Sequence, residues 1–499
     1  MTDPCTFVIF GATGDLARNK LLPALYHLDA ANRLHPDTRI LANGRRHPDR
    51  DAWLAEIRAH LAGNVRGGLN DEVFSRFAAR TDYVRGDLRD SSFYETLYGK
   101  LSRNRDFPVD LAFYMALSPA EYADVISNLD RAKLLDETEG GRRVVIEKPF
   151  GSDLQSAVAL QQKLAEHLRE EQIFRIDHYL GKETVRNILV FRFGNVLMEP
   201  LWNRNTIDHI QIIHAEPQGI GERGATYEKS GALSDMIQSH LLQLLTFVAM
   251  ESPVSMAAEA LHAEKLKVLK SIRPILPDQV DEVAVRGQYN TGTVGGNAVI
   301  GYRDEARVAG DSHTETFAAL KLHIDNWRWA GVPFLLRTGK RMAQKQALVA
   351  ICFKQPPQQF FRASHVHCEA SNWLLIGIQP HECMRMEMTV KAPGEALATR
   401  QTALDASFRR ADEIVNDAYE ELLLDIIRGD RSLFLSYEEV EQAWRIVDPV
   451  MQAWSHSGQD LHPYRSGSWG PAEADQLFDD PCRFWRNTLE PCGCGIKQL

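Results

Sequence analysis

The segment FVIFGATGDLARNKLLPALYHL, residues 7–28, decides the fold of the first part of the chain. Residues 7–10 form a continuous apolar run, the pattern of a strand buried on both faces. Gly11 and Gly14 follow at once, and helical spacing begins directly after them. Strand, glycine turn and helix in that order open a βαβ unit, whose helix N-terminus favours an anion. The spacing is GxxGxxA rather than GxGxxG, so two readings stand: a dinucleotide-binding turn, or a plain strand-to-helix connection.

Working outward, apolar runs at 39–43, 109–117 and 143–146 alternate with helical patterns at 121–129 and 154–168. That alternation predicts a Rossmann-like, doubly wound parallel sheet over residues 1–180. Beyond about residue 200 the rhythm changes. Residues 320–324 and 384–390 alternate apolar and polar with period two, and 348–353 and 373–378 are further strand candidates. Helical patterns at 234–250, 412–428 and 438–455 bracket them. Residues 181–499 are therefore expected to form a larger α+β domain, with a mostly antiparallel sheet covered on one face and flanked by helices. A chain of 499 residues exceeds what one core usually holds, which also points to two domains.

The formal net charge is -10, and this argues against a nucleic-acid or anionic-membrane partner, since both demand a basic face. Small anions remain open, because a few clustered cations set a local potential. The seven cysteines (Cys5, Cys352, Cys368, Cys383, Cys482, Cys492 and Cys494) are sparse and odd in number, which reads as reduced thiols. No metal is expected: Cys492 and Cys494 have no histidine beside them, and no His/Asp/Glu cluster has ligand spacing. The N-terminus leaves no room for a targeting segment, and the most apolar helical stretch, 241–250, is too short to span a bilayer. The expected location is cytoplasmic.

The chemistry concentrates in four places. The second strand runs into Arg45-Arg46-His47 where an NAD site would carry an acid, which favours the 2'-phosphate of NADP, although a solvated charged loop fits too. Lys148 follows the strand at 143–146 and precedes Pro149, so it stands extended at a carboxyl end. In RIDHYLGKE, 175–183, a helical reading puts His178 and Lys182 on one face with Tyr179 alongside, three donors suited to a phosphate; an N-capping Asp177 before a solvated face is the alternative. On the helix from 234, His240 lies at the edge of the apolar stripe, about 140° around an α-helix from Asp235.

GATGDLARNKLLPALY (11–26), EKPFG (147–151), RIDHYLGKE, DMIQSHLLQ (235–243) and NWRWAGVPFLLRTGKR (326–341) resemble the signature segments of the glucose-6-phosphate dehydrogenase family, in order and approximate spacing. WNRNTIDHI, NDAYEELL and SGSWGP extend the resemblance from residue 6 to about 471, and it weakens between about 355 and 410. It implies oxidation of D-glucose 6-phosphate at C1 to the 1,5-lactone, with hydride passing to NADP and NAD as a weaker or dual cofactor. His240 would be the general base and Asp177 its orienting carboxylate. Lys148 would touch both ligands; His178, Tyr179, Lys182 and Lys345 would hold the phosphate; Glu216, Asp235 and Lys340 would bond sugar hydroxyls. Cofactor contacts would come from Gly11, Thr13, Gly14, Asp15, Leu16, Arg45, Pro119, Glu147, Lys148 and Pro149. Ser118 replaces a proline usual in the family, and Arg46-His47 is local to this sequence. By analogy the broad sheet is a dimer surface, implying a homodimer or homotetramer. Two other readings remain: a dehydrogenase of another hexose phosphate, and a dinucleotide sensor without turnover.

Overall fold

A computed structural model describes residues 3–358, 371–394, 399–408, 410, 413, 416–456 and 461–489. The chain divides into two compact units: Met1–Glu183 with Pro253–His262 and Ile414–Glu441, and Thr184–Ser252 with Ala263–Glu413 and Gln442–Leu499.

The first unit is built on six parallel strands: β1 (Thr6–Phe10), β2 (Arg39–Gly44), β3 (Thr81–Arg85), β4 (Leu111–Met115), β5 (Arg142–Glu147) and β6 (Ile173–Ile176). Their order is β3-β2-β1-β4-β5-β6, so the sheet is doubly wound and reverses direction beside β1. Helices such as Tyr122–Arg131 and Leu154–Ala165 connect the strands, and every residue of β1 is buried, as its unbroken apolar run requires. Ile9 pairs with Ala42, Phe10 with Met115, Met115 with Ile146, and Glu147 with Ile176. That register sets Gly11, Gly44, Ala116, Glu147 and Asp177 along one carboxyl edge, where ligands bind in such sheets.

The second unit carries ten strands: β7 (Ile207–Ala215), β8 (Ala284–Val294), β9 (Asn297–Val299), β10 (Phe317–His323), β11 (Pro333–Gly339), β12 (Gln346–Phe353), β13 (Trp373–Gln379), β14 (Cys383–Lys391), β15 (Thr399–Ser407) and β16 (Leu461–Ser466). The order is β15-β14-β13-β12-β7-β11-β10-β8-β16, with β9 paired to β8. Only β7 with β11 and β8 with β16 pair in parallel; the other pairs are antiparallel.

The expectation of one covered face fails for the centre of this sheet. β7, β11, β12 and β13 are buried almost end to end. Helical segment Leu233–Leu241 packs over β7, β10 and β11, while Ala474, Leu477 and Trp485 join Ile213, Phe317 and Leu335 in one apolar cluster. Chain downstream of β16 thus packs on a sheet that was expected to be covered on one face alone. The patterned expectation survives at the edge, where β14 and β15 are largely exposed or half-buried.

Two helical expectations also change form. Residues 178–181 are turn, and helix begins only at Glu183. Leu233–Leu241 is a π-helix that continues as the α-helix Leu242–Ala249. Cys5, Cys352 and Cys383 are free thiols, whereas Cys482 is disulfide-bonded, so the expectation of reduced thiols throughout fails at that position. Cys368, Cys492 and Cys494 lie outside the described residues, as do 412, 414 and 415 of the helix expected over 412–428.

Candidate active site

In the first unit the glycine turn supplies a cradle. Gly11 has φ +77°, and a Cβ there would lie 2.3 Å from the Ala116 carbonyl oxygen, so only glycine fits. The Gly14 N–H donates to the Gly11 carbonyl at 2.9 Å, closing the turn just before the helix that starts at Asp15. Glycine backbone at a helix N-terminus, on the switch point of a doubly wound sheet, suits a dinucleotide pyrophosphate. Thr13 is buried within this turn, while Asp15 is exposed.

Arg45 leaves the end of β2 exposed, its guanidinium 3.6 Å from the Asp87 carboxylate. Arg46 donates to the Thr13 carbonyl at 2.5 Å, and His47 pairs with Glu56 at 2.8 Å. Arg46 therefore braces the glycine turn, while Arg45 carries an exposed guanidinium at the end of β2. Pro119 opens a 3₁₀ turn, Pro119–Glu121, whose Glu121 side chain accepts from the Ser118 N–H at 3.3 Å. Glu147 ends β5, Lys148 follows it, and the Lys148–Pro149 peptide is cis.

The segment 177–182 folds as consecutive turns. Asp177, 1% exposed, accepts from the Tyr179 N–H at 2.9 Å through its side chain and from the Leu180 N–H at 3.0 Å through its carbonyl. An aspartate that bonds backbone two residues on competes with helix, which explains the turn. The three side chains remain neighbours: Lys182 Nζ lies 4.0 Å from the Tyr179 ring centre, and the His178 and Tyr179 rings are 5.3 Å apart.

In the second unit, β7 and β11 end at the edge where β12 begins. Ala215 of β7 pairs with Gly339 of β11 and Gln346 of β12, so Glu216, Lys340 and Lys345 sit at one level. Lys340, 4% exposed, is bonded to Glu216 and lies 3.7 Å from Asp235. Tyr464 donates to the Lys340 carbonyl at 2.7 Å, fixing that backbone. Lys345 is exposed at the same edge. His240, 1% exposed, belongs to the π-helix with Asp235. Because a π-helix bonds i to i+5, the two lie one turn apart, and the 140° separation computed for an α-helix does not apply.

Sequence reasoning missed Glu315. Its carbonyl accepts from the Ala232 N–H at 3.0 Å and its side chain from the Leu233 N–H at 3.1 Å, anchoring the start of the π-helix. Burial pushes its carboxyl up to about 7. No local spacing announces such a residue, since it reaches the helix from 82 positions away.

Asp208, His209 and Cys352 offer donor atoms within 4.8 Å of one another, but the donors do not suit a metal. Asp208 is bonded to His209 at 2.7 Å and to Arg483 at 2.8 Å, and the second His209 nitrogen meets Gln211 at 3.0 Å. Burial pushes the Cys352 thiol up to about 12, leaving it protonated and a poor ligand.

A dinucleotide cradle on one unit and a histidine with paired carboxylates and lysines on the other are parts of a two-unit NAD(P)-dependent dehydrogenase. The family model described as glucose-6-phosphate dehydrogenase, NAD binding domain, matches residues 8–187, and that of the glucose-6-phosphate dehydrogenase C-terminal domain matches 189–486. The chain belongs to the glucose-6-phosphate dehydrogenase family. It is 44% identical over 490 residues to glucose-6-phosphate 1-dehydrogenase of Rhizobium meliloti, covering 98% of each chain. It is 43% identical to that of Mycolicibacterium smegmatis, covering 97% of each. Among solved structures, a glucose-6-phosphate dehydrogenase in complex with glucose 6-phosphate matches with TM-score 0.86 and 34% identity, over 96% of this chain and 98% of that one. The Mycobacterium avium enzyme matches with TM-score 0.84 and 35% identity, over 99% and 100%.

Proposed function

We propose that the chain oxidises D-glucose 6-phosphate at C1 to 6-phospho-D-glucono-1,5-lactone, with His240 as general base and Asp177 orienting its imidazole. Whole-length identity to glucose-6-phosphate 1-dehydrogenases carries the reading. NADP, when bound, takes the hydride from C1. His240 takes the proton from the C1 hydroxyl, a task for which imidazole is suited near neutral pH. Asp177 fixes the ring and stabilises its protonated form. His178, Tyr179, Lys182 and Lys345 grip the phosphate, and the fixed anchor brings C1 into line, where orientation is worth on the order of several kcal/mol. Glu216, Asp235 and Lys340 hold sugar hydroxyls. The contacts of Lys340 with Glu216 and Asp235 hold the three side chains together, and the sugar hydroxyls bond the lone pairs that these contacts leave.

On the cofactor side, Gly11, Thr13, Gly14, Asp15 and Leu16 form the turn against the pyrophosphate, Arg45 meets the 2'-phosphate, and Pro119, Glu147, Lys148 and Pro149 line the nicotinamide end. The protein works in the cytoplasm as a homodimer or homotetramer, which light scattering of the purified chain checks. Among the described residues no helix is long and apolar enough to cross a membrane.

The test is absorbance at the reduced-cofactor band with glucose 6-phosphate, glucose, NADP and NAD in all pairings, on the wild type and on Arg45→Ala. Reduction requiring the sugar phosphate, and an Arg45→Ala loss falling about tenfold or more on NADP and little on NAD, support the reading. Turnover with unphosphorylated glucose as good as with its phosphate favours a different sugar dehydrogenase. Cofactor binding without turnover favours a sensor.

A further inference from the structure

We infer that Tyr419 is a positioning residue: with Tyr114 it clamps the Glu147 carboxylate, and its helix, Ala418–Arg428, is a common buttress for the segments 147–149 and 177–182. The inference rests on the assignment of the first segment to the cofactor and the second to the sugar phosphate.

Four observations in the first unit carry it. Tyr114, from β4, donates to Glu147 Oε1 at 2.5 Å, and Tyr419 donates to the same oxygen at 3.0 Å from 272 residues away. Tyr122 closes the backbone of the same residue: its hydroxyl donates to the Glu147 carbonyl at 3.2 Å and accepts from the Glu147 N–H at 3.3 Å. On its other side the helix touches the phosphate turn. A Cβ on Gly181 would lie 2.7 Å from the Ala418 carbonyl and 2.9 Å from Leu422 Cγ, so backbone meets helix there with nothing between. One turn of helix, 418–422, thus abuts both segments.

The helix is itself pinned. Asp417 caps it by accepting from the Tyr419 N–H at 2.9 Å, and Glu420 accepts from the Asp417 N–H at 3.1 Å. Lys20 holds Asp417 at 3.1 Å, Arg66 holds Glu420 at 2.8 Å, and Arg33 grips Glu421 with both terminal nitrogens, at 2.6 and 3.0 Å. Three cations from the Rossmann-like part fix where the Tyr419 hydroxyl falls. A carboxylate bonded by two fixed hydroxyls keeps one orientation, and Tyr122 holds the backbone that leads into Lys148.

Glu147 is faced by Tyr114 from β4, Tyr122 from the helix Tyr122–Arg131, Tyr419, its neighbour Lys148, and Asp177 past the end of β6. Burial raises its carboxyl, while the two phenol donors and Lys148 oppose that rise. Losing one donor raises it further, so the charged form needs a higher pH.

The test is calorimetric NADP affinity of the full-length chain across pH, without sugar, beside steady-state kinetics. For Tyr419→Phe we expect NADP affinity about tenfold weaker, the fold-change of one lost bond to a charged group. The acid limb of affinity should move to higher pH, and Glu147→Gln should abolish that limb and make Tyr419→Phe silent. Tyr114→Phe reads the same clamp from β4 should the first variant not fold. Unchanged affinity and an unmoved acid limb in a folded Tyr419→Phe would overturn the inference, as would full additivity with Glu147→Gln. Because affinity is read without sugar, a wrong substrate assignment shows instead as absent turnover in the wild type.

Discussion

Replacing His240 by asparagine is expected to lower kcat by about 10²–10⁴-fold, the range that a positioned proton acceptor supplies. The KM for glucose 6-phosphate should change by less than about threefold, because the lost interaction belongs to the transition state. Asparagine is the informative substitution: it keeps a polar group at a 1% exposed position on the π-helix but accepts no proton. Steady-state kinetics with saturating NADP checks it. Near-normal kcat would remove His240 from the base role and leave it as a buried structural histidine, which is the commoner fate of such a residue.

The second large effect belongs to Lys182→Ala. Its ammonium is held 4.0 Å from the Tyr179 ring centre, in a turn set by Asp177. A charge-assisted bond to a phosphate is worth about 1.5–3 kcal/mol, which raises the KM for the sugar phosphate by roughly 10–150-fold. The KM for NADP should stay within about twofold of wild type, since the turn lies past β6 and the glycine cradle past β1. Comparable rises for both ligands would show that Lys182 does not belong to the phosphate.

Much of this was legible in the chain. The apolar run at 7–10 followed by Gly11 announced β1 and its turn, because a strand buried on both faces has no alternative pattern and Gly11 alone tolerates the Ala116 carbonyl. Period two located β10 and β14 within a few residues. What failed was whatever depends on distant chain. Nothing near β10 or β11 predicts that Ala474, Leu477 and Trp485 will pack against them. Nothing within a nine-residue helical stretch distinguishes i+4 from i+5 bonding, so the angle between Asp235 and His240 was misjudged. The turn at 178–181 escapes the i,i+4 spacing because the Asp177 side chain competes for the backbone there. Tyr419 stood inside a recognised segment, NDAYEELL, yet its partner Glu147 is 272 positions away and leaves no periodic trace.

The claim on which the rest depends is that Asp177 acts through His240, and a double-mutant cycle measures that directly. Asn at 177 can still accept the Tyr179 N–H, so the turn survives while the negative charge goes. Asp177→Asn alone should cut kcat by about 10²-fold or more, and should cost almost nothing further in a His240→Asn background, because residues acting as a unit are not additive. If the two losses simply multiply, the carboxylate and the imidazole work independently, and the proposed base and its orienting partner are wrongly joined.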